Sequence, residues 1–102
     1  MDNFIINIIE ESISMRMKAR KALEENDQWR AVPLKVKRKV YELYDECNEF
    51  GYQCIDALKR NQIEGRELRE TIDYYLITDE MFDNLIRKVC ESYDINYFAI
   101  CE

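Results

Sequence analysis

Acidic side chains at helical spacing are the residues of this chain best suited to chemistry. Four of them recur three or four positions apart along one predicted helix, so they share one face: Glu42, Asp45, Glu46 and Glu49. Glu70 and Asp73 repeat the spacing on a later segment. Carboxylate oxygens are the ligands that Mg²⁺ prefers, and bound Mg²⁺ can clamp a triphosphate and position water for attack. The candidate metal ligands are therefore Glu46, Glu49, Glu70 and Asp73.

These acids also carry a resemblance to a known family. Glu46-Cys47-Asn48-Glu49 resembles the E-x-x-E box of the MazG-type all-α nucleotide pyrophosphohydrolases, and Glu70-Thr71-Ile72-Asp73 resembles their E-x-x-D box. Thr71 departs from the pattern, since the family usually has an apolar residue there. The resemblance covers residues 46–76 and implies Mg-dependent hydrolysis of a nucleoside triphosphate. We keep this as the alternative function.

Most other enzyme classes lack their residues here. The chain has no histidine, which excludes a histidine-based triad or a histidine metal site. It also has no glycine-rich phosphate loop and no G-x-S-x-G turn. We therefore assign no catalytic residue, and the leading hypothesis is a protein without enzymatic activity.

Aromatic residues favour a binding function. Seven tyrosines and four phenylalanines are many for the interior of a small helical protein, and tyrosine is enriched at protein interfaces. The expected partner-binding residues combine aromatic and acidic side chains: Trp29, Tyr41, Glu42, Tyr44 and Asp45. We expect a small acidic protein-binding module, acting as an inhibitor, an immunity protein or a phage-type antagonist of a partner protein.

Charge is distributed unevenly along the chain, whose net charge is −6. Residues 16–39 carry nine bases against three acids, and residues 40–102 carry fifteen acids against six bases. The basic segment could contact phosphate, but the acidic remainder would repel a polyanion. We therefore expect a protein partner and no nucleic acid.

Composition predicts the fold class. Two glycines and one proline are too few for the turns of a β-sandwich or barrel, so residues 1–102 are expected to form one helical domain. Apolar periodicity predicts an all-α antiparallel four-helix bundle with two long and two shorter helices. The long helices run to about Glu25 and from Pro33 to about Arg60. The shorter ones span Glu64 to Leu76 and the segment that Thr78 caps.

The same periodicity assigns inward faces. On the first helix the inward residues are expected to include Ile5, Ile8, Ile9, Ser12 and Met15. Leu43 and Leu85 are expected to be core residues of the second and fourth helices. Gly51 lowers helix stability by about 1 kcal/mol relative to alanine, so it indicates either a bend or a close crossing by another helix. The conformation of the apolar tail, Ile95 to Cys101, is left open.

Location and assembly complete the expectations. No run of 18 apolar residues exists and the N-terminus lacks the basic start of a secretory signal, so we expect a cytoplasmic protein. Cys47 and Cys54 lie about 10.5 Å apart on one helix, too far for a disulfide, and the cysteines are expected to be buried thiols. Two long helices outrunning two shorter ones would leave apolar surface exposed in a monomer, so a homodimer is expected. The exposed residues would be some of Ile5, Ile8, Ile9, Met15, Tyr41 and Tyr44.

Overall fold

The computed structural model describes residues 3–60 and 65–101, without the side chains of Asn3 and Cys101. Five helices follow one another in the order α1 Asn3–Glu24, α2 Asp27–Arg30, α3 Leu34–Lys59, α4 Gly65–Ser92 and α5 Tyr97–Cys101. The described residues form no strand, so the all-α prediction is confirmed. Within these ranges, none of the helices combines the length and the apolarity that crossing a membrane requires.

Three long helices replace the two long and two shorter helices that we expected. The predicted break before Thr78 is wrong, because α4 runs unbroken from Gly65 to Ser92. No glycine or proline lies between these ends, and the Thr78 hydroxyl donates to the carbonyl of Tyr74 within the helix. A hydroxyl that bonds one turn back does not act as an N-cap.

Side-chain contacts give the directions of the helices. On α3, Asn48 contacts Arg16 of α1 and the later Gly51 approaches the earlier Ile13. Tyr44 of α3 lies against Phe82 of α4, and the later Phe50 lies against the earlier Tyr74. Both α1 and α4 therefore run opposite to α3, and α1 and α4 are parallel. The helix between them, α3, packs along each of them, whereas α1 and α4 approach each other less closely.

Gly51 of α3 lies against side chains of both α1 and α4. A Cβ atom at this position would be 2.8 Å from the Ile13 Cδ1 atom and 3.0 Å from a ring carbon of Tyr75. Of the two interpretations of this glycine, a bend or a close crossing, these contacts support the close crossing.

The helix ends follow from local chemistry. Asn26 caps α2 by accepting a hydrogen bond from the Trp29 amide, and Pro33 precedes α3, where a missing amide hydrogen costs nothing. Asp94 takes a left-handed φ of 57° after α4. The Ile95 amide then reaches back to the carbonyl of Cys90 at 2.8 Å, as in a Schellman motif, and so directs the tail into α5.

Two apolar clusters form the core. The upper cluster gathers around α2 and the C-terminal half of α4, and its buried residues are Leu23, Trp29, Val32, Val40, Tyr44, Phe82, Ile86, Val89, Cys90 and Ile95. The lower cluster consists of Ile6, Ile9, Ile13, Cys47, Cys54, Ile55, Leu58 and Tyr75. Buried Arg16 lies at the level between them.

The inward faces differ in part from the prediction. On α1 the buried residues are Ile6, Ile9, Ile13, Arg16, Ala19 and Leu23, whereas Ile8 and Met15 are exposed. From Ile6 to Arg16 the buried positions follow a 3-4-3 spacing. A search for apolar residues alone does not include Arg16 in this series. Leu43 and Leu85 are only partly buried and pack against the edge of the upper cluster.

Candidate functional site

A buried polar network joins α1, α3 and α4 at their midpoints. The side chain of Arg16 is 5 % exposed and forms an ion pair with Asp79. Its Nε donates to the Asn48 side-chain oxygen at 2.8 Å, and its Nη2 donates to the Tyr75 hydroxyl at 2.7 Å. Its Nη1 also donates to Ser12 Oγ at 2.7 Å. The network fastens α1 to α4 where their backbones are too far apart to pack directly.

Helical spacing places these side chains together. Ser12 and Arg16 are one turn apart on α1, and Tyr75 and Asp79 are one turn apart on α4, so each pair shares a face. The two hydroxyls of Ser12 and Tyr75 are 2.8 Å apart, which closes a ring of hydrogen bonds with Arg16. Among the described residues, every buried side-chain nitrogen or oxygen has a hydrogen-bond partner.

Interactions with neighbouring groups keep the Arg16 guanidinium charged. Burial opposes the charge, but the hydrogen bond to Tyr75 and nearby polar groups raise the pKa of the Arg16 guanidinium above its ordinary value. Burial also raises the pKa of the Tyr75 hydroxyl. Burial raises the pKa of the neighbouring Cys47 thiol to about 11, so this thiol stays protonated and unreactive near neutral pH.

A groove of about 570 Å³ opens above the network, between α1 and α4. Its lining residues are Ser12, Met15, Arg16, Lys18, Ala19, Asp79, Phe82, Asp83, Arg87, Tyr97 and Ile100. One end is covered by α5, which packs against both α1 and α4. The Arg87 guanidinium lies 5.3 Å from the ring centre of Tyr97 and 5.4 Å from that of Phe98, which braces α5 against α4.

The groove is lined by both apolar and polar side chains. Four of the N–H groups of Arg16 are already used within the chain, so its charge is neutralised and structural. The carboxylate of Asp79 is 39 % exposed and faces the groove. Apolar walls with a few converging polar groups are typical of sites that take a ligand or a peptide.

The predicted metal ligands lie outside this groove. All four, Glu46, Glu49, Glu70 and Asp73, are exposed. Glu70 accepts a hydrogen bond from Arg66 one turn away. Glu49 and Glu70 line two different surface depressions. Within residues 3–60 and 65–101, no three His, Cys, Asp or Glu side chains cluster closely enough to hold a metal ion. Metal binding by these acids stays a prediction.

The predicted partner-binding residues divide into two groups. Trp29 is 2 % exposed and Tyr44 is also buried, so both belong to the upper cluster. Tyr41 is half-buried and accepts a hydrogen bond from the Trp29 indole at 3.1 Å. Glu42 and Asp45 are exposed on α3. In this conformation a partner could reach Tyr41, Glu42 and Asp45 but not Trp29 or Tyr44. Partner binding by these three residues stays a prediction.

Sequence reasoning missed the polar network. Arg16 occupies an inward position in the series Ile9, Ile13, Arg16, Leu23, and a charged residue at such a position is the signal that could have identified it. Ser12 was expected to face inward, but nothing in the pattern connected it to Arg16, Tyr75 or Asp79. Comparisons with family models, with curated proteins and with solved structures find no match.

Proposed function

We propose that this chain is a protein-binding module that receives an apolar-faced helix of another protein in the groove between α1 and α4. The observation that carries the proposal is a row of exposed apolar side chains along the α1 rim of that groove. Phe4, Ile8 and Met15 are 72 %, 45 % and 58 % exposed. Their separations of four and seven residues place them on one strip of the helix, and Met15 lines the groove.

The α4 rim supports the same reading. Leu76 is exposed and lies seven residues before Asp83, which lines the groove, so the two share a strip of α4. Exposed apolar side chains facing each other across a groove are the pattern by which amphipathic helices are recognised. We expect the partner helix to carry apolar anchors at helical spacing and a hydrogen-bond donor that reaches Asp79.

The short helix α5 supplies a local precedent. It packs against α1 and α4 at one end of the groove, with Tyr97 and Ile100 lining it. A partner helix would continue the path of α5 along the open remainder. The four-helix arrangement expected from the sequence would then be completed by another chain. Action as an inhibitor, an immunity protein or a phage-type antagonist is one form that such binding would take.

Two methionines of α1 provide a matched test. Met15 and Met17 are 58 % and 51 % exposed on the same helix, but Met15 lines the α1–α4 groove and Met17 a depression on the α3 side. A photo-crosslinking amino acid would replace each in turn in cells that make the protein. We expect a covalent adduct with a distinct second protein from position 15 and none from position 17.

A second variant ties the adduct to the groove. Leu76→Asp on the opposite rim changes an exposed side chain, so circular dichroism and the melting temperature should be unchanged while the adduct from position 15 is lost. Equal adducts from both positions, no adduct from either, or an adduct that survives Leu76→Asp would contradict the proposal.

The nucleotide hydrolase stays the alternative prediction from the two carboxylate boxes. Thermal unfolding with Mg²⁺ and each nucleoside triphosphate tests it, because a ligand at 100 times its Kd adds about 2.7 kcal/mol to the free energy of unfolding. If no nucleotide raises the melting temperature and none is hydrolysed, the hydrolase is excluded.

A further inference from the structure

We infer that two copies of this chain pair antiparallel through the outer face of α4, on the flank away from the α1–α4 groove. The middle of this face is apolar: Tyr74, Ile77 and Met81 are each more than half exposed. This inference uses a different surface from the proposed function and does not depend on it. We call the face from Glu70 to Lys88 the outer stripe.

The outer stripe repeats every three and four residues. Its members are all exposed, and they are Glu70, Tyr74, Ile77, Met81, Asn84 and Lys88. A 4-3-4-3-4 spacing is that of the seam by which one helix packs along another with a small crossing angle. The stripe thus has the register of a helix–helix interface, and at its edge the Tyr74 ring lies 5.4 Å from that of Phe50.

Charge identifies the second helix. The stripe begins with an acid, Glu70, and ends with a base, Lys88, with the apolar residues between them. When two such stripes pair antiparallel with Ile77 opposite Met81, Tyr74 lies opposite Asn84 and Glu70 lies opposite Lys88. The pairing is the same for both copies, as a two-fold interface requires. The stripe is therefore complementary to itself.

The parallel arrangement lacks this complementarity. It would place Glu70 opposite Glu70 and Lys88 opposite Lys88, and like charges at a helix interface disfavour pairing. One turn further out, Glu67 would face Glu91 of the second copy in the antiparallel pair. Repulsion between these two acids limits the favourable contact to the stripe itself. Because each copy contributes only three apolar residues to that contact, we expect a weak dimer.

The surface differs from the one expected from the sequence. That expectation drew on Ile5, Ile8, Ile9, Met15, Tyr41 and Tyr44 and on a length mismatch between helices. The mismatch does not exist because α4 has 28 residues, and Ile9 and Tyr44 are buried. The self-complementary charges of α4 are a separate reason for the same stoichiometry.

Charge reversal tests both the pairing and its direction. Sedimentation equilibrium from micromolar to millimolar concentration should show the 102-residue chain passing from 12.4 kDa toward twice that mass. Glu70→Lys and Lys88→Glu each create like-charge contacts at both ends of the antiparallel pair. Each should raise the dissociation constant about tenfold, since exposed charge pairs have modest energies.

Mixing the two variants is the decisive arm. Glu70→Lys chains and Lys88→Glu chains, each weakly associated alone, should pair with one another about as well as the parent does. Glu25→Lys, an equal charge change on an exposed residue away from α4, should leave association unchanged. A parent that stays at 12.4 kDa at millimolar concentration would overturn the inference. Failure of the mixture to recover would overturn the antiparallel register.

Discussion

The two flanks of α4 that face other helices are built differently. Toward α3 the contact is apolar and close: Phe82 lies against Tyr44 with ring centres 6.0 Å apart, and Tyr75 approaches Gly51. Toward α1 the contact passes through Arg16, which reaches Asp79 and Tyr75 over a gap that leaves a groove. The α3–α4 seam, meaning the line of contact between these helices, is filled by packed side chains. The α1–α4 seam is bridged by Arg16.

The difference indicates a division of roles. Close apolar packing supplies most of the free energy of folding, so the α3–α4 seam is expected to dominate stability. A bridge of satisfied polar groups fixes the spacing of α1 and α4 but leaves surface exposed above it. The same helix therefore contributes to the core with one flank and, in the proposed function, to partner binding with the other.

The largest effect is expected on the filled side. Ile86 is fully buried in the upper cluster, so Ile86→Ala should lower the free energy of unfolding by about 4 kcal/mol through lost burial and the cavity left behind. Ile77 is the matched control, because it lies on the same helix and is 56 % exposed. Ile77→Ala should change stability by no more than about 0.5 kcal/mol. Urea unfolding at low micromolar concentration measures both, and similar losses would mean that the orientation of α4 is wrong.

A smaller loss is expected from breaking the bridge. Asp79→Ala leaves the Arg16 charge buried without its counter-ion. The cost should be about 2 kcal/mol, below that of a fully buried pair because Asp79 is partly exposed. The control is Asp83→Ala one turn away, which removes a similarly half-exposed carboxylate whose partner is Arg87 instead of a buried arginine. It should cost about 0.5 kcal/mol or less. Urea unfolding of the two variants would contradict the structural role of the bridge if their stabilities were equal.

The smallest effect concerns pH. Since burial raises the pKa of Cys47 from 9.0 to about 11, the unfolded chain loses this proton at a lower pH than the folded chain does. Stability from this group is complete below pH 9 and is lost as the pH rises toward 11, by about 1–2 kcal/mol. The Cys47→Ala variant should lose less stability over this interval than the parent does. Unfolding curves at pH 8.5 and 10.5 provide the comparison, and equal losses would place Cys47 in a more polar setting.

Much of the fold could be predicted from the sequence because the apolar spacing on α3 is regular. The bounds of α1 and α3 and the crossing at Gly51 followed from that spacing and from helix propensity. The predicted break before Thr78 was wrong because a threonine followed by acids is equally typical of a helix N-cap and of the interior of a continuous helix. Only tertiary contacts, here Asp79 with Arg16, distinguish the two.

The groove was harder to predict than the fold. Its floor joins residues that are 63 positions apart, such as Ser12 and Tyr75, and no local pattern connects them. The acids of α3 were predicted as site residues because their spacing is local. Spacing alone, however, does not distinguish a binding site from a solvated helix face. Met15 was expected in the core because it fits an apolar series that is rotated by about one residue from the series around Arg16.

Partner binding at the open flank between α1 and α4 can be followed directly through the methyl groups of the methionines. The chain has four methionines, and three of them sample distinct surfaces: Met15 the groove, Met17 the α3 side and Met81 the outer stripe. In a ¹³C-methyl spectrum at low micromolar concentration, the partner captured through position 15 would be titrated in. We expect the methyl signal of Met15 to shift or broaden while the methyl signal of Met17 is unchanged. A shift at Met17 with none at Met15 would contradict partner binding at this flank.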